Sequence, residues 1–321
     1  MNTLIDFDIP SRLDIVEAAE RIRPYIHHTP VLQCEQFNDL FQANILFKCE
    51  NFQKAGAFKS RGAVNAVFSL TQDEIDRGVC THSSGNHAQA LARAAALRKC
   101  KAYIVMPETS PKVKVNAVKH YGGMITFCKP TLEAREKTLQ EIRQKTGAIE
   151  IHPYNNLKII TAQASAAREL FLEYNDLDMI LTPVGGGGLL SGTALAAKYF
   201  SSHTKVIACE PAGADDAYRS FHDQKFYPSL NPKTIADGLL TSLGSYTFPL
   251  ILEYVDTIVK VQEDSIIHAM KLIWERMKII VEPSAAVTLA AILEKQIDTK
   301  GMKIALILSG GNVDLNKLPW S

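Results

Sequence analysis

The sequence has no Cys-x-x-Cys pair, no long run of one charge, no apolar stretch long enough to cross a bilayer and no internal repeat or low-complexity tract. Each absence removes a class of protein. The six cysteines, Cys34, Cys49, Cys80, Cys100, Cys128 and Cys209, are widely scattered, which fits buried free thiols better than a zinc site or a disulfide framework. With 35 basic and 34 acidic residues the formal charge is +1, so there is no general attraction to nucleic acid or to an anionic membrane. Met1 to Pro10 carries Asp6 and Asp8 and lacks the basic start and apolar core of a signal peptide. A cytoplasmic protein with neither a membrane nor a nucleic-acid partner is expected.

A chain of 321 residues with 46% hydrophobic content can bury more than one layered core, and two domains are expected. Strand-like and helix-like patterns alternate along it. Ser11, with Asp14 three residues on, caps an opening helix that runs to Arg23 and stops near Pro24. Ile45 to Cys49 reads as a strand, followed by a helix through Ala63 to Leu70. From Val79 the alternation is regular: strands Val79 to His82, Ala102 to Met106, Met124 to Cys128 and Ala148 to His152, with helices Ala88 to Arg98, Pro111 to Tyr121 and Leu132 to Lys145 between them. A second series has helices Ala162 to Tyr174, Leu189 to Phe200, Glu263 to Lys278 and Ser284 to Lys295, and strands Met179 to Val184, Lys205 to Glu210, Thr257 to Val261 and Lys303 to Leu308. The expected organisation is a large domain, 1–78 with 153–321, and a small α/β domain, 79–152.

Four segments carry the chemistry. In Gln53-Lys54-Ala55-Gly56-Ala57-Phe58-Lys59-Ser60-Arg61-Gly62-Ala63, a lysine sits in a small-residue turn leading into a helical pattern. Such a lysine is either a solvated surface charge or, if burial keeps it neutral against its usual pKa of ~10.4, a Schiff-base nucleophile. Ser83-Ser84-Gly85-Asn86-His87-Ala88 follows a strand and opens a helix, which suits a simple helix cap or a site for a carboxylate or phosphate. Val184-Gly185-Gly186-Gly187-Gly188-Leu189 also joins strand to helix, and four glycines let an anion approach several N–H groups. The loop has neither the GxGxxG nor the GxxxxGK[ST] spacing, so a single phosphate group suits it better than a dinucleotide or a nucleoside triphosphate. Leu308-Ser309-Gly310-Gly311-Asn312-Val313-Asp314 ends the last apolar strand. All four lie at or near the carboxyl ends of strands, where ligands of open α/β sheets collect.

Taken in order, GAFKSRGA, SSGNHAQALA, PVGGGGLLSG and LSGGNVD strongly resemble the pyridoxal-phosphate enzymes of the tryptophan synthase β fold, also called fold type II. Along nearly its whole length the chain is similar to the serine racemase and serine/threonine dehydratase group within them. Further matches are Lys48-Cys49-Glu50-Asn51-Phe52-Gln53, Thr234-Ile235-Ala236-Asp237-Gly238 and Trp274-Glu275-Arg276-Met277-Lys278. The resemblance implies two open, mainly parallel sheets flanked by helices, with the cofactor between a large and a small domain. It implies that Lys59 carries pyridoxal 5'-phosphate as a Schiff base, Phe58 packs near its ring, Asn86 bonds the ring hydroxyl, Gly185, Gly186, Gly187 and Gly188 cradle the phosphate, and Ser309 faces the pyridine nitrogen. A neutral serine there makes the ring a milder electron sink than a carboxylate would.

Racemisation needs a base on each face of the α-carbon, and Ser84 is the candidate opposite Lys59. Dedicated threonine dehydratases of the family commonly carry SAGNH where this chain has the SSGNH of serine racemases. An enzyme that interconverts L- and D-serine and also eliminates serine to pyruvate and ammonia is therefore expected. The alternative is a dehydratase of threonine, serine or 3-hydroxyaspartate with little racemisation. A catalytically idle binding protein of the same fold is a third reading, against which Lys59 argues.

Ser83, Ser84, Gly85, Asn86 and His87, with Arg135 and Asp237, are the expected substrate-binding residues. Arg135 and Asp237 suit a structural or surface charge equally well. Glu210-Pro211-Ala212-Gly213-Ala214-Asp215-Asp216 reads alone as a solvated acidic loop, but the resemblance makes Glu210, the Ala214 carbonyl and Asp216 a site for Mg²⁺, with Ca²⁺ or Mn²⁺ as alternatives. Activation by ATP through Gln89, Tyr121, Lys278 and Asn312, and a homodimer, are further expectations from the family. Two departures stand out. Ala162-Gln163-Ala164-Ser165 replaces the GQGT of many members, which bears on helix packing, and Tyr154 stands where the mammalian racemase has Asn. The chain is also expected to lack the regulatory domain, and with it the isoleucine feedback, of biosynthetic threonine dehydratases.

Overall fold

In a computed structural model, residues 5–83, 85–110 and 112–320 are described. Among the described residues ten strands form two sheets: β1 (Val31–Leu32), β2 (Asn44–Cys49), β3 (Val79–His82), β4 (Ala102–Pro107), β5 (Met124–Cys128), β6 (Ile149–Glu150), β7 (Met179–Pro183), β8 (Lys205–Pro211), β9 (Thr257–Val261) and β10 (Lys303–Leu308). The six-stranded sheet has the order β1-β2-β10-β7-β8-β9, and the four-stranded sheet β5-β4-β3-β6. All pairs are parallel except the short edge pair β1–β2. Parallel sheets need both faces covered, and β10 shows this: Ile304 to Leu308 are wholly buried, each isoleucine and leucine side chain contributing about 1.5–3 kcal/mol.

The four-stranded sheet is built wholly within Val79 to Glu150, while β1, β2 and β7 to β10 come from either side of it. The opening helix, Arg12–Ile22, is capped as its sequence predicts: Ser11 accepts from Asp14 N and Asp14 accepts from Ser11 N. Helix Leu157–Glu173 begins five residues before the expected start, because Asn156 accepts from the N–H groups of Lys158 and Ile159 and nucleates an extra turn. The Ala162 to Ser165 segment packs tightly. A Cβ on Gly192 would meet Ala164 N at 2.7 Å, and one on Gly62 would meet Gln163 Nε2 at 2.6 Å.

Ser165 also receives a hydrogen bond from Arg61, the centre of a buried charge cluster. The Arg61 guanidinium contacts Glu50 at 2.8 Å and Glu169 at 2.6 Å, and Lys48 reaches Glu169 at 2.7 Å. Two cations and two carboxylates therefore cancel inside the core, and this rigid base holds the first turn of the helix that starts at Lys59.

Candidate active site

Lys59 is the first residue of helix Lys59–Phe68. The preceding turn is fastened to the end of β10: Phe58 N donates to Ser309 O at 3.1 Å, and Ala57 bridges Gly310. Lys59 Nζ donates to Pro153 O at 2.8 Å and lies 5.0 Å from the centre of the Phe58 ring. Burial lowers its pKa to about 8, with the Glu282 charge pulling the other way. At neutral pH a readily lost proton makes this amine a better nucleophile and base than an exposed lysine.

The tetraglycine loop runs from the end of β7 into helix Gly188–Phe200. Each glycine has a separate steric reason. A Cβ on Gly185 would meet Leu239 Cα at 2.8 Å, on Gly186 the Tyr154 ring at 2.4 Å, and on Gly188 the Tyr154 Cβ at 2.9 Å, while Gly187 has φ +85. All four glycines are buried, and their N–H groups find no hydrogen-bond partner among the described residues. Buried, unpaired N–H groups at a helix start call for an anion, so the loop fits a phosphate group.

Asn86 opens helix Asn86–Leu97. Its Nδ2 donates to Glu282 Oε1 at 2.7 Å, and its Oδ1 accepts from Asn312 at 2.9 Å. Glu282 was missed by the sequence reading. It is buried, its Oε2 has no partner, and its pKa is raised to about 7, by burial first and then by the charge of Asp237. Its sequence signal, an acid directly before Pro283 at a helix start, is too common to single out. Ser309 is buried where β10 ends, beside Gly310, whose Cβ would meet Glu282 Oε1 at 2.6 Å.

Two histidines, His87 and His152, feel the Lys59 charge, and the ring of a third, His82, stands 6.3 Å from that of His152. His87 is buried, its Nε2 lies 2.9 Å from Ile151 O, and its Nδ1 has no partner. Burial, then the Lys59 charge, drives its pKa to about 3. His152, whose Nδ1 accepts from Asn155 N at 2.9 Å, is lowered to about 4, by burial and then by His82. His82 is lowered as well, by burial and then by Arg135. A neutral imidazole can pass or receive a proton without adding a buried charge.

Of the remaining expected residues, Ser84 lies outside the described residues. Ser83 Oγ accepts from Gly85 N at 3.4 Å. Arg135 is half-buried and acts on His82 from helix Leu132–Thr146. Asp237 is not free, because it pairs with Lys114. Glu210 accepts from Ala217 N and Tyr218 N, while both oxygens of the buried Asp216 are unpartnered. Burial and then the Asp216 charge raise the Glu210 pKa well above normal, and burial raises that of Asp216 to about 6. Two repelling buried carboxylates fit a hard cation, although among the described residues no three His, Cys, Asp or Glu side chains cluster for one. Gln89, Tyr121, Lys278 and Asn312 share no hydrogen bond among the described residues. Asn312 is committed to Ala55 O and Asn86, and Lys278 Nζ to Glu275 O.

Comparison with known proteins gives a consistent picture. Residues 22–310 match the family described as pyridoxal-phosphate dependent enzyme. The chain is 53% identical over 310 residues to a serine racemase of Dictyostelium discoideum, covering 95% of each chain. It is 45% identical over 313 residues to a beta-hydroxyaspartate dehydratase of Paracoccus denitrificans, covering 98% of this chain and 99% of the relative. The crystal structure of the Dictyostelium discoideum serine racemase superposes with a TM-score of 0.91 at 52% identity, over 95% of this chain and 99% of that one.

Proposed function

This chain belongs to the pyridoxal-phosphate dependent enzymes, and on that premise we propose that it interconverts L- and D-serine and also eliminates serine to pyruvate and ammonia. The observation that carries the reading is Lys59, an enclosed amine with a pKa of about 8, held between the turn before its helix and the crossover at Pro153.

Pyridoxal phosphate, when bound, draws electrons from the α-carbon of an attached amino acid and so acidifies its Cα–H. Lys59 Nζ would anchor the cofactor and, once released, take that proton from one face. The N–H groups of Gly185 to Gly188 would hold the phosphate, Asn86 and Ser309 would orient the ring from two sides, and Phe58 would exclude water beside it. Ser84 Oγ is assigned the proton on the opposite face. His87 and His152, whose pKa values burial holds low, stay neutral near the amine. Ser83 to His87 and Arg135 would bind the substrate carboxylate.

Glu210, the Ala214 carbonyl and Asp216 form the proposed Mg²⁺ site, supported by the unpartnered oxygens of Asp216. A division into 1–78 with 153–321 and 79–152 is supported by the origin of the strands. Among the described residues no helix is long and apolar enough to cross a membrane. A homodimer and a cytoplasmic location complete the proposal, and sedimentation equilibrium tests the former. Activation by ATP is a further part of the proposal, and it is tested by adding ATP to the assay.

The deciding experiment incubates the cofactor-loaded protein with L-serine and Mg²⁺ and measures D-serine and pyruvate in one sample. Comparable rates of both support the racemase. Pyruvate without D-serine makes the protein an ammonia-lyase, the reading that the beta-hydroxyaspartate dehydratase relative favours.

A further inference from the structure

One side chain holds the tetraglycine loop from behind. Thr247 is wholly buried at the start of helix Thr247–Tyr254, and its hydroxyl donates to Gly186 O at 2.8 Å. No other donor among the described residues reaches that carbonyl. The same hydroxyl accepts from Gly244 N at 2.8 Å, and the Thr247 carbonyl accepts at 3.5 Å from Ser191 Oγ, on the helix that follows the loop. The turn that carries Thr247 is itself clamped to the crossover. Tyr246 N donates to Asn155 Oδ1 at 2.8 Å, Asn155 Nδ2 donates to Ser245 Oγ at 3.0 Å, and a Cβ on Gly244 would collide with the Asn155 side chain.

A trans peptide turns its C=O and N–H to opposite sides, and no peptide bond among the described residues is cis. With Gly186 O fixed on Thr247, the N–H of Gly187 therefore faces away from that hydroxyl, and it has no partner among the described residues. The bonds run in series, from Gly244 N–H through the Thr247 hydroxyl to the Gly186–Gly187 peptide and out at the Gly187 N–H, and each polarises the next. We propose that Thr247 is a positioning residue for the cofactor's phosphate: its hydroxyl sets the tilt of the Gly186–Gly187 peptide and strengthens the Gly187 N–H as a donor. The inference rests on the pyridoxal-phosphate reading of the loop and adds to it the side chain that aims the donor. Without the hydroxyl, Gly186 O and Gly244 N lose their partner inside the core, and the peptide can rotate its N–H off the anion.

The test compares the full chain with Thr247→Val, which keeps the shape and loses the hydroxyl, and with Thr247→Ser, which keeps the hydroxyl. Each protein is loaded with pyridoxal 5'-phosphate or with pyridoxal, which lacks the phosphate, and dialysed to equilibrium to give a Kd. Thr247→Val is expected to weaken pyridoxal 5'-phosphate about tenfold and pyridoxal by less than about twofold, while Thr247→Ser stays within about twofold of the parent for both. The phosphorus NMR resonance of the bound cofactor is expected to move in Thr247→Val and to return in Thr247→Ser. An equal loss for both ligands makes Thr247 a packing residue and overturns the proposal, as does unchanged retention in Thr247→Val or a parent that retains no pyridoxal 5'-phosphate. If Thr247→Val does not fold, the parent alone decides. In protein labelled with ¹⁵N-glycine, the Gly187 amide proton is expected to lie further downfield in the pyridoxal 5'-phosphate form than in the pyridoxal form, and the same position in both overturns the proposal. A protein that retains pyridoxal 5'-phosphate but consumes neither L-serine nor 3-hydroxyaspartate fails the serine reading and leaves this comparison standing.

Discussion

Asn86 donates to Glu282 at 2.7 Å, tying the helix that follows β3 to the turn before helix Pro283–Leu293. The bond joins the two sheets' surroundings through one buried carboxyl group, and that carboxyl group is also the charge that supports protonation of Lys59.

Glu282→Gln should therefore lower the pKa of Lys59 below about 8, because the opposing negative charge is gone while burial remains. The rate of amine modification in cofactor-free protein, followed against pH, reads the shift. A pKa that stays in place would show that Glu282 is neutral when Lys59 titrates.

Acid should destabilise the fold through His87 and His152. Their native pKa values, about 3 and about 4, lie below the 6.5 of an unfolded imidazole. Between those values and 6.5 the unfolded chain binds more protons, so stability is lost as pH falls through that window. Urea midpoints at pH 7 and pH 5 should differ less for His87→Gln than for the parent.

Gly186→Ala places a methyl group on the Tyr154 ring, 2.4 Å from its carbons. Overpacking of this kind costs about 1–3 kcal/mol, and displacement of the loop should also weaken cofactor retention. Tyr154→Ala in the same chain should recover part of the loss of thermal stability, whereas Tyr154→Phe, which keeps the ring, should not.

Mg²⁺ should raise the Tm, and a chelator should reverse the change. A cation at a hundred times its Kd adds about 2.7 kcal/mol of stability. Asp216→Asn should abolish the response while the protein stays folded, since it relieves the repulsion with Glu210. An Asp216→Asn protein that still responds would move the cation elsewhere.

Much of this was legible from local pattern. Met124 to Cys128 and Lys303 to Leu308 are strands over the residues expected, because β-branched and apolar runs bounded by turn residues leave little choice. Two of the chemical segments, Ser83 to Ala88 and Val184 to Leu189, were readable because small residues run directly into a helix start there, where backbone N–H groups can meet an anion. Short elements were not: β1 and helix Glu35–Phe41 owe their existence to packing against β2 and its surroundings. Glu282 and Lys114 escaped for another reason. Their importance lies in long-range neighbours, Asn86 and Asp237, and a single Glu or Lys in a helix-forming run carries no local mark of burial. Asp237 was recognised as near the site, but its partner was invisible without the fold.

The crossover after β6 has a mechanical meaning. Ile151 O holds His87, Pro153 O holds Lys59, and Tyr154 leans on Gly186 and Gly188, all within four consecutive residues. The strap that returns the chain from the four-stranded sheet thus touches the nucleophile, a neighbouring imidazole and the anion loop at once. Any tilt of that sheet would pull on this strap, so a shift of the sheet and a loosened grip on the lysine would be a single displacement rather than two events in sequence.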